Sequence, residues 1–492
     1  MRLAAATLDA LPPAIARPAY DRAGVTPGVI HLGIGAFHRA HQAVYLDDIL
    51  ARGETDWGII AASLRSADTR DALAPQDGLY TIAVRSAAGE SLRVIGAVGE
   101  VLVAPEDPER LIALLADPQI RIVTLTVTEK GYCHNPATGT LDETHPDILH
   151  DLKDLFQPRS AIGYLVAALA GRFSAGTPPF TIVSCDNLPS NGKTLKRVLD
   201  RFAALVSPEL GAWVADEVSC PCSMVDRIVP ATTEEDRARV AGALGAEDAW
   251  PVMTEPFTQW VLEDRFPNGR PDFGAVGVQL VEDVEPFEHM KLRLLNGAHS
   301  TIAYLGYLAG YPTVAETIAD RNFARLVRAL MDEDVTPTLA MPEGTDLTGY
   351  KDALIERFSN PALKHRTWQI AMDGSQKLPQ RLLGTIRDRL AAGASIDRLA
   401  LAVAGWMRYV TGTDENGDPI DIRDPMAARF AAVITEADGD SHQIARGLMA
   451  IREIFGTDLP ADPRFTGPVI EALDRLFESG VKATVAAAAH GR

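Results

Sequence analysis

The strongest constraint on how this chain can fold is a short apolar run that ends in a glycine pair. Gly28-Val-Ile-His-Leu32 reads as a buried strand, and Gly33-Ile-Gly35 as the turn that ends it. Ala36 through Leu50 has helical periodicity, and Trp57-Gly-Ile-Ile-Ala-Ala-Ser-Leu64 is a second strand. Together they make the first crossover of a parallel sheet. Apolar runs at Ile95–Val103, Ile120–Val127 and Phe180–Ser184 follow, with helical stretches between them. The alternation predicts an α/β domain with helices on both faces of a parallel-core sheet. Beyond about Pro286 the pattern turns to nearly continuous helix, at Val314–Asp332, Leu378–Ala392, Ile396–Val410 and Val469–Val481. We therefore expect an α/β domain over residues 1–285 and a mainly α-helical domain over 286–492. A cleft where the two meet is the expected place for a site.

The glycine turn has its own chemistry. Gly33-x-Gly35-x-x-His38 follows a strand and opens a helix, the setting of a dinucleotide fingerprint. The first glycine allows the tight turn, and the second lets backbone approach a pyrophosphate at the helix N-terminus. Histidine replaces the third, whose usual task is close helix–strand packing. Gly33, Gly35, Ala36 and Phe37 are the expected cofactor contacts; an ordinary strand–helix turn is the alternative. The ribose-reading acid belongs at the end of the second strand, where Leu64-Arg-Ser-Ala-Asp68 stands. Asp68 favours the 2′-hydroxyl of NAD, whereas Arg65 would suit a 2′-phosphate; the expectation is NAD.

A second constellation lies at Lys291-Leu-Arg-Leu-Leu-Asn-Gly-Ala-His299. At about 100° per residue of α-helix, Lys291, Asn296 and His299 project at roughly 0°, 140° and 80°, one broad face. Leu292 and Leu295 fall near the same side, which suggests a buried surface. A lysine there loses hydration, and its pKa falls toward that of a general base. The alternative is a lysine that snorkels to water.

Composition narrows the partners. The 492 residues are 47% hydrophobic and 23% charged, enough for two to three domains with large cores. A formal charge of −19 argues against nucleic acid or an anionic membrane as partner, so an anionic substrate needs a local basic cluster. The 4 cysteines (Cys133, Cys185, Cys220, Cys222) are too few for a disulfide framework. Cys220-Pro-Cys222 has no second ligand pair at metal-site spacing, so the expectation is no metal. Asp9 and Pro12-Pro13 spoil a signal peptide, and no apolar run approaches a membrane span, so a cytoplasmic protein is expected. None of the 10 tyrosines is followed four positions later by lysine, which removes the Tyr-x-x-x-Lys pair of short-chain dehydrogenases.

Gly33-Ile-Gly-Ala-Phe-His-Arg-Ala-His41, Cys185-Asp-Asn187, Met224-Val-Asp-Arg-Ile-Val-Pro230 and Lys291-x-x-x-x-Asn296-x-x-His299 together resemble the polyol-specific long-chain dehydrogenase family. The resemblance runs over essentially the whole chain. It implies a Rossmann-type first domain, a helical second domain and metal-independent NAD(P) catalysis. It also implies Lys291 as general base, Asn187 and Asn296 as amide donors to the alkoxide or carbonyl oxygen, and His299 as the residue that positions substrate or lysine. Asp226 is implied as a substrate or neighbouring contact, with an ion pair to Arg227 as its alternative. Within the family, Thr126–Cys133, Met341–Leu347, His365–Arg381 and Ala404–Tyr409 look like the fructuronate reductase branch. That branch implies D-mannonate and D-fructuronate as substrates; mannitol, arabinitol or sorbitol is the neutral alternative. A sugar acid needs a cation for its carboxylate. The basic segment Lys364–Arg381 supplies Arg366 and Lys377 as the expected contacts, against the alternative of a solvated helix surface. A non-catalytic NAD sensor and a decarboxylating dehydrogenase also stay open, as do a monomer and a homo-oligomer.

Overall fold

The first strand, β1 (Pro27–Leu32), is buried along nearly its whole length. Ile30 and Leu32 join one core, while Val29 joins another with Ile59 and Ala61. A strand covered on both faces belongs inside a parallel sheet. The computed structural model describes residues 1–135 and 138–490. In it β1 is followed by β2 (Gly58–Ser63), β3 (Val98–Val103), β4 (Ile122–Leu125) and β5 (Thr181–Ser184). All are parallel, in the order β3-β2-β1-β4-β5. This is the doubly wound arrangement expected from the sequence. Chain order reverses between β1 and β4, so the carboxyl ends of those two strands open the crevice where such sheets hold ligands.

The chain divides into two compact units, Met1–Glu285 and Pro286–Arg492. The first carries more strand than the sequence suggested. Tyr80–Ser86 and Gly89–Ile95 form an antiparallel hairpin, with Val252–Thr254 parallel to its first strand. Ser223–Asp226 pairs antiparallel with Gln259–Glu263, which runs parallel to Gln279–Val281. The apolar run Ile95–Val103 is thus two elements: Ile95 ends the hairpin, and β3 begins at Val98. All four cysteines are buried free thiols.

The second unit is helical. Its centre is α4 (Gly297–Leu308; α1 to α3 are Ala36–Ala40, Gln42–Ala51 and Asp68–Leu73 of the first unit). Of the residues Gly297 to Leu308, only Tyr307 is not buried. Helix α5 (Leu347–Phe358) and the short α6 (Thr367–Ala371) follow, and α6 packs on α4. The run Val314–Asp332 is broken at Asp320, whose extended backbone ends one helix while its carboxylate caps the next at the Asn322 N–H, 2.8 Å away. Three segments widen into π turns: Lys291–Asn296, Leu330–Val335 and Pro379–Leu383. The first packs against both others. No helix among the described residues is long and apolar enough to cross a membrane.

Candidate active site

The turn after β1 is built around one position that only glycine can fill. Gly33 has φ +94°, and a Cβ there would lie 2.2 Å from the Thr126 carbonyl oxygen. The two strand ends at the crevice therefore touch backbone to backbone, with the Thr126 hydroxyl donating to the Gly33 carbonyl at 2.9 Å. Gly35 is exposed, and a Cβ there would meet nothing closer than 3.8 Å, so the first N–H groups of α1 are open to approach. Ala36 and Phe37 form the first turn, and the half-buried Phe37 ring stacks on His41 at 5.0 Å. Asp68 is exposed at the first position of α3, just beyond β2. Nearby Arg70 is engaged by Asp71 and Glu106, and Arg65, like Asp68, is exposed. These residues fit a dinucleotide.

His38, at the third-glycine position, lies flat on His31 of β1 with ring centroids 3.4 Å apart and planes 9° apart. Close helix–strand packing is thus achieved by two stacked imidazoles instead of a missing side chain. His31 bridges Thr124 Oγ1 at 2.8 Å and Thr126 Oγ1 at 2.9 Å.

The loop after β4 carries unusual backbone. Thr128 has φ +65° and Cys133 φ +49°, costly for a β-branched residue above all. Asp186, just past β5, holds this loop: its carboxylate accepts from Val127 N–H (2.9 Å), Thr128 N–H (3.1 Å) and Tyr132 Oη (2.8 Å). Burial raises the Asp186 pKa, although its three donors pull the other way. Asp186 was present in the sequence motif but given no task. Asn187 follows it at the exposed carboxyl end of the sheet. Asp226 is buried at the end of its strand, opposite Gln259. Arg227 donates to the carbonyls of Ala40 (2.5 Å) and Glu255 (3.0 and 3.2 Å).

In the second unit the expected α-helix around Lys291 is instead a π turn, with the Gly297 N–H reaching back to the Leu292 carbonyl. An i→i+5 turn holds more than four residues, so each advances by less than the α-helical angle. Asn296, five residues on, therefore swings back toward the face of Lys291. Lys291 and His299 are each 7% exposed, and Asn296 is half-buried. The turn packs against the Pro379–Leu383 turn at Gly297, where a Cβ would lie 2.9 Å from the Arg381 carbonyl oxygen.

His299 sits among rings and cations. Its ring centroid is 4.7 Å from that of Phe358 and 5.3 Å from that of His365. Its Nε2 is buried with no hydrogen-bond partner. Burial chiefly, then His365, Arg357 and Arg381, hold its pKa well below the ordinary imidazole value. Burial, Arg357 and Lys377 push His365 down to about 4. Arg381 Nη1 donates to Ser300 Oγ at 3.2 Å. Lys377 donates to the Ile370 and Met372 carbonyls at 3.3 and 2.6 Å and also faces His365. Arg366 is exposed and lines a cavity of about 1040 Å³ with Thr313, Lys364 and Trp368, a lining that includes neither Lys291 nor His299. The structure thus brings Lys377 to the imidazole cluster and turns Arg366 to another surface. Nothing local in the sequence marks the approach of Arg357, Phe358 and His365 to His299.

Comparison with known proteins accounts for both units. The mannitol dehydrogenase Rossmann domain matches residues 27–275, and the mannitol dehydrogenase C-terminal domain matches residues 283–477. D-mannonate oxidoreductase of Escherichia coli (strain K12) is 48% identical over 477 residues, covering 96% of this chain and 98% of that protein. The structure of Pseudomonas fluorescens mannitol 2-dehydrogenase, a ternary complex with NAD and D-mannitol, matches at 44% identity and a TM-score of 0.87, with 99% of each chain covered. A substrate-free D-sorbitol dehydrogenase matches at 35% identity and a TM-score of 0.91, covering 99% of this chain and all of that one. Matched over both its Rossmann sheet and its helical unit, this chain belongs to the mannitol dehydrogenase family of oxidoreductases acting on CH–OH groups.

Proposed function

We propose that this enzyme interconverts D-fructuronate and D-mannonate with NAD, using Lys291 as the acid and base. The Gly33–Phe37 turn and Asp68 would hold NADH, which would supply the hydride to the ketone carbon. Lys291, as its ammonium, gives a proton to the ketone oxygen, and in the oxidative direction the neutral amine takes that proton back. Asn187 and Asn296 donate to the same oxygen as negative charge develops on it, which lowers the barrier. His299 and Asp226 orient the neighbouring hydroxyl groups.

The observation that carries the sugar-acid reading is local charge. In a chain of net −19, Arg357, Lys377 and Arg381 gather around two imidazoles held neutral. That is the environment a carboxylate needs and a neutral polyol does not. Similarity to D-mannonate oxidoreductase points the same way. Lys377 is the carboxylate contact this reading keeps; Arg366, turned to a different cavity, has a weaker claim. Similarity to the mannitol 2-dehydrogenase complex favours a second reading, a neutral polyol and its ketose. The two separate in one assay: NADH oxidation with D-fructuronate beside D-fructose at equal concentration. Fructuronate should be reduced with at least tenfold higher kcat/KM. Preference for fructose would assign the chain to the polyol branch.

A further inference from the structure

We propose that Phe358 and His365 are positioning residues, which clamp the His299 ring so that its Nε2 is withheld from water and from protein partners and given to a substrate oxygen. The inference rests on the reading above in one respect, that His299 addresses the substrate.

Three observations carry it. First, an imidazole nitrogen that is buried and unpaired is costly, and native structures leave few such groups without a use. Second, the ring is fixed by two others of unlike origin. Phe358 is the last residue of α5, 2% exposed, and lies tilted at 48° to His299. His365, on the loop before α6, stands nearly perpendicular to it at 85°. Both separations lie in the range of favourable aromatic pairs. Third, the helix beneath is buried along nearly its whole length, so rotation about the His299 side chain is the freedom left to remove. With one ring tilted against it and another standing across it, that rotation is blocked.

The clamp also has a charge consequence. Arg357 and Arg381 face His299, and Arg357 and Lys377 face His365. A proton on either imidazole is opposed by these cations and by burial. The clamped ring is therefore held neutral. An unclamped ring admits water and titrates closer to its ordinary value near 6.5.

The test uses the full-length enzyme and five variants, one of them double, with folding checked by thermal melting. Phe358→Leu keeps the bulk but loses the plane, and His365→Ala removes one jaw. Each should raise the substrate KM about tenfold, the loss expected for one aromatic pair, with the NADH KM unchanged. Each should also bring an acidic limb into the kcat/KM profile near pH 6. His365→Phe restores a ring without its nitrogens and should return KM to within about twofold of wild type. In a His299→Ala background, His365→Ala should add no further loss, because the clamp then holds nothing. A wild-type KM for His365→Ala, failure of His365→Phe to rescue, or equal losses with and without His299 would each overturn the clamp. If His299→Ala alone leaves turnover intact, the role given to His299 in the proposed function fails instead.

Discussion

Two imidazoles pressed face to face beneath the nucleotide turn are an expensive choice of side chain. His31 and His38 are both fully buried. Burial pushes the His31 pKa down to about 3; burial, with the neighbouring His31, pushes that of His38 well below its ordinary value. Folded-state values below the unfolded 6.5 fix the sign of the pH dependence. The unfolded chain takes up protons first, so the stability these groups contribute is complete above about pH 6.5 and is lost as pH falls from there toward 3. The melting temperature should therefore fall on acidification through that window. His38→Gln should flatten the fall, because one of the two buried bases is gone; an unchanged slope would show that the stack does not govern acid stability. The loop opposite tells a related story, since Asp186 holds Thr128 in a backbone region that threonine avoids. Neither role could be read from the residue types alone. A histidine at a glycine position says only that the glycine is absent, and an acid beside an asparagine says nothing of the loop it will hold.

At the scale of elements, the π turns separate this protein from its own hydrophobic pattern. Leu292, Leu294 and Leu295 fit an ordinary α-helix, and periodicity over so few residues cannot distinguish 3.6 residues per turn from a wider one. The widened segment meets a second such turn, Pro379–Leu383, in close contact at Gly297. Pro379 cannot donate a backbone hydrogen bond, which favours an irregular turn in that neighbour. Gly297→Ala should force the two turns apart, costing about 1–3 kcal/mol as overpacking does. It should also lower kcat at least tenfold by rotating Lys291 and Asn296 out of alignment. Chemical denaturation and steady-state kinetics on the same preparation check both effects. Full activity with normal stability would mean that the close approach at Gly297 has no bearing on the lysine.

On the scale of the whole molecule, the sheet was the most legible part. Its strands are short, continuous and apolar because both faces are covered, and their order follows from a crossover that has one allowed hand. The hairpin Tyr80–Ser86/Gly89–Ile95 was not legible: its second strand runs into the apolar stretch that also holds β3, and only the turn at Gly96 parts them. Lys291, Asn296 and His299 follow one another along continuous helical backbone, a π turn running into α4, since their spacing is local. Phe358 and His365 lie 59 and 66 residues beyond His299, and only tertiary packing brings them to it. Lys291 is the one proton donor and acceptor in the proposed reaction, and Lys291→Ala tests it, with turnover and NADH binding followed on the same protein. We predict a fall in kcat of about 10²–10⁴-fold, the share that general acid–base catalysis supplies, with NADH affinity within twofold of wild type. Turnover at the wild-type rate would contradict the assignment of Lys291 as the acid and base.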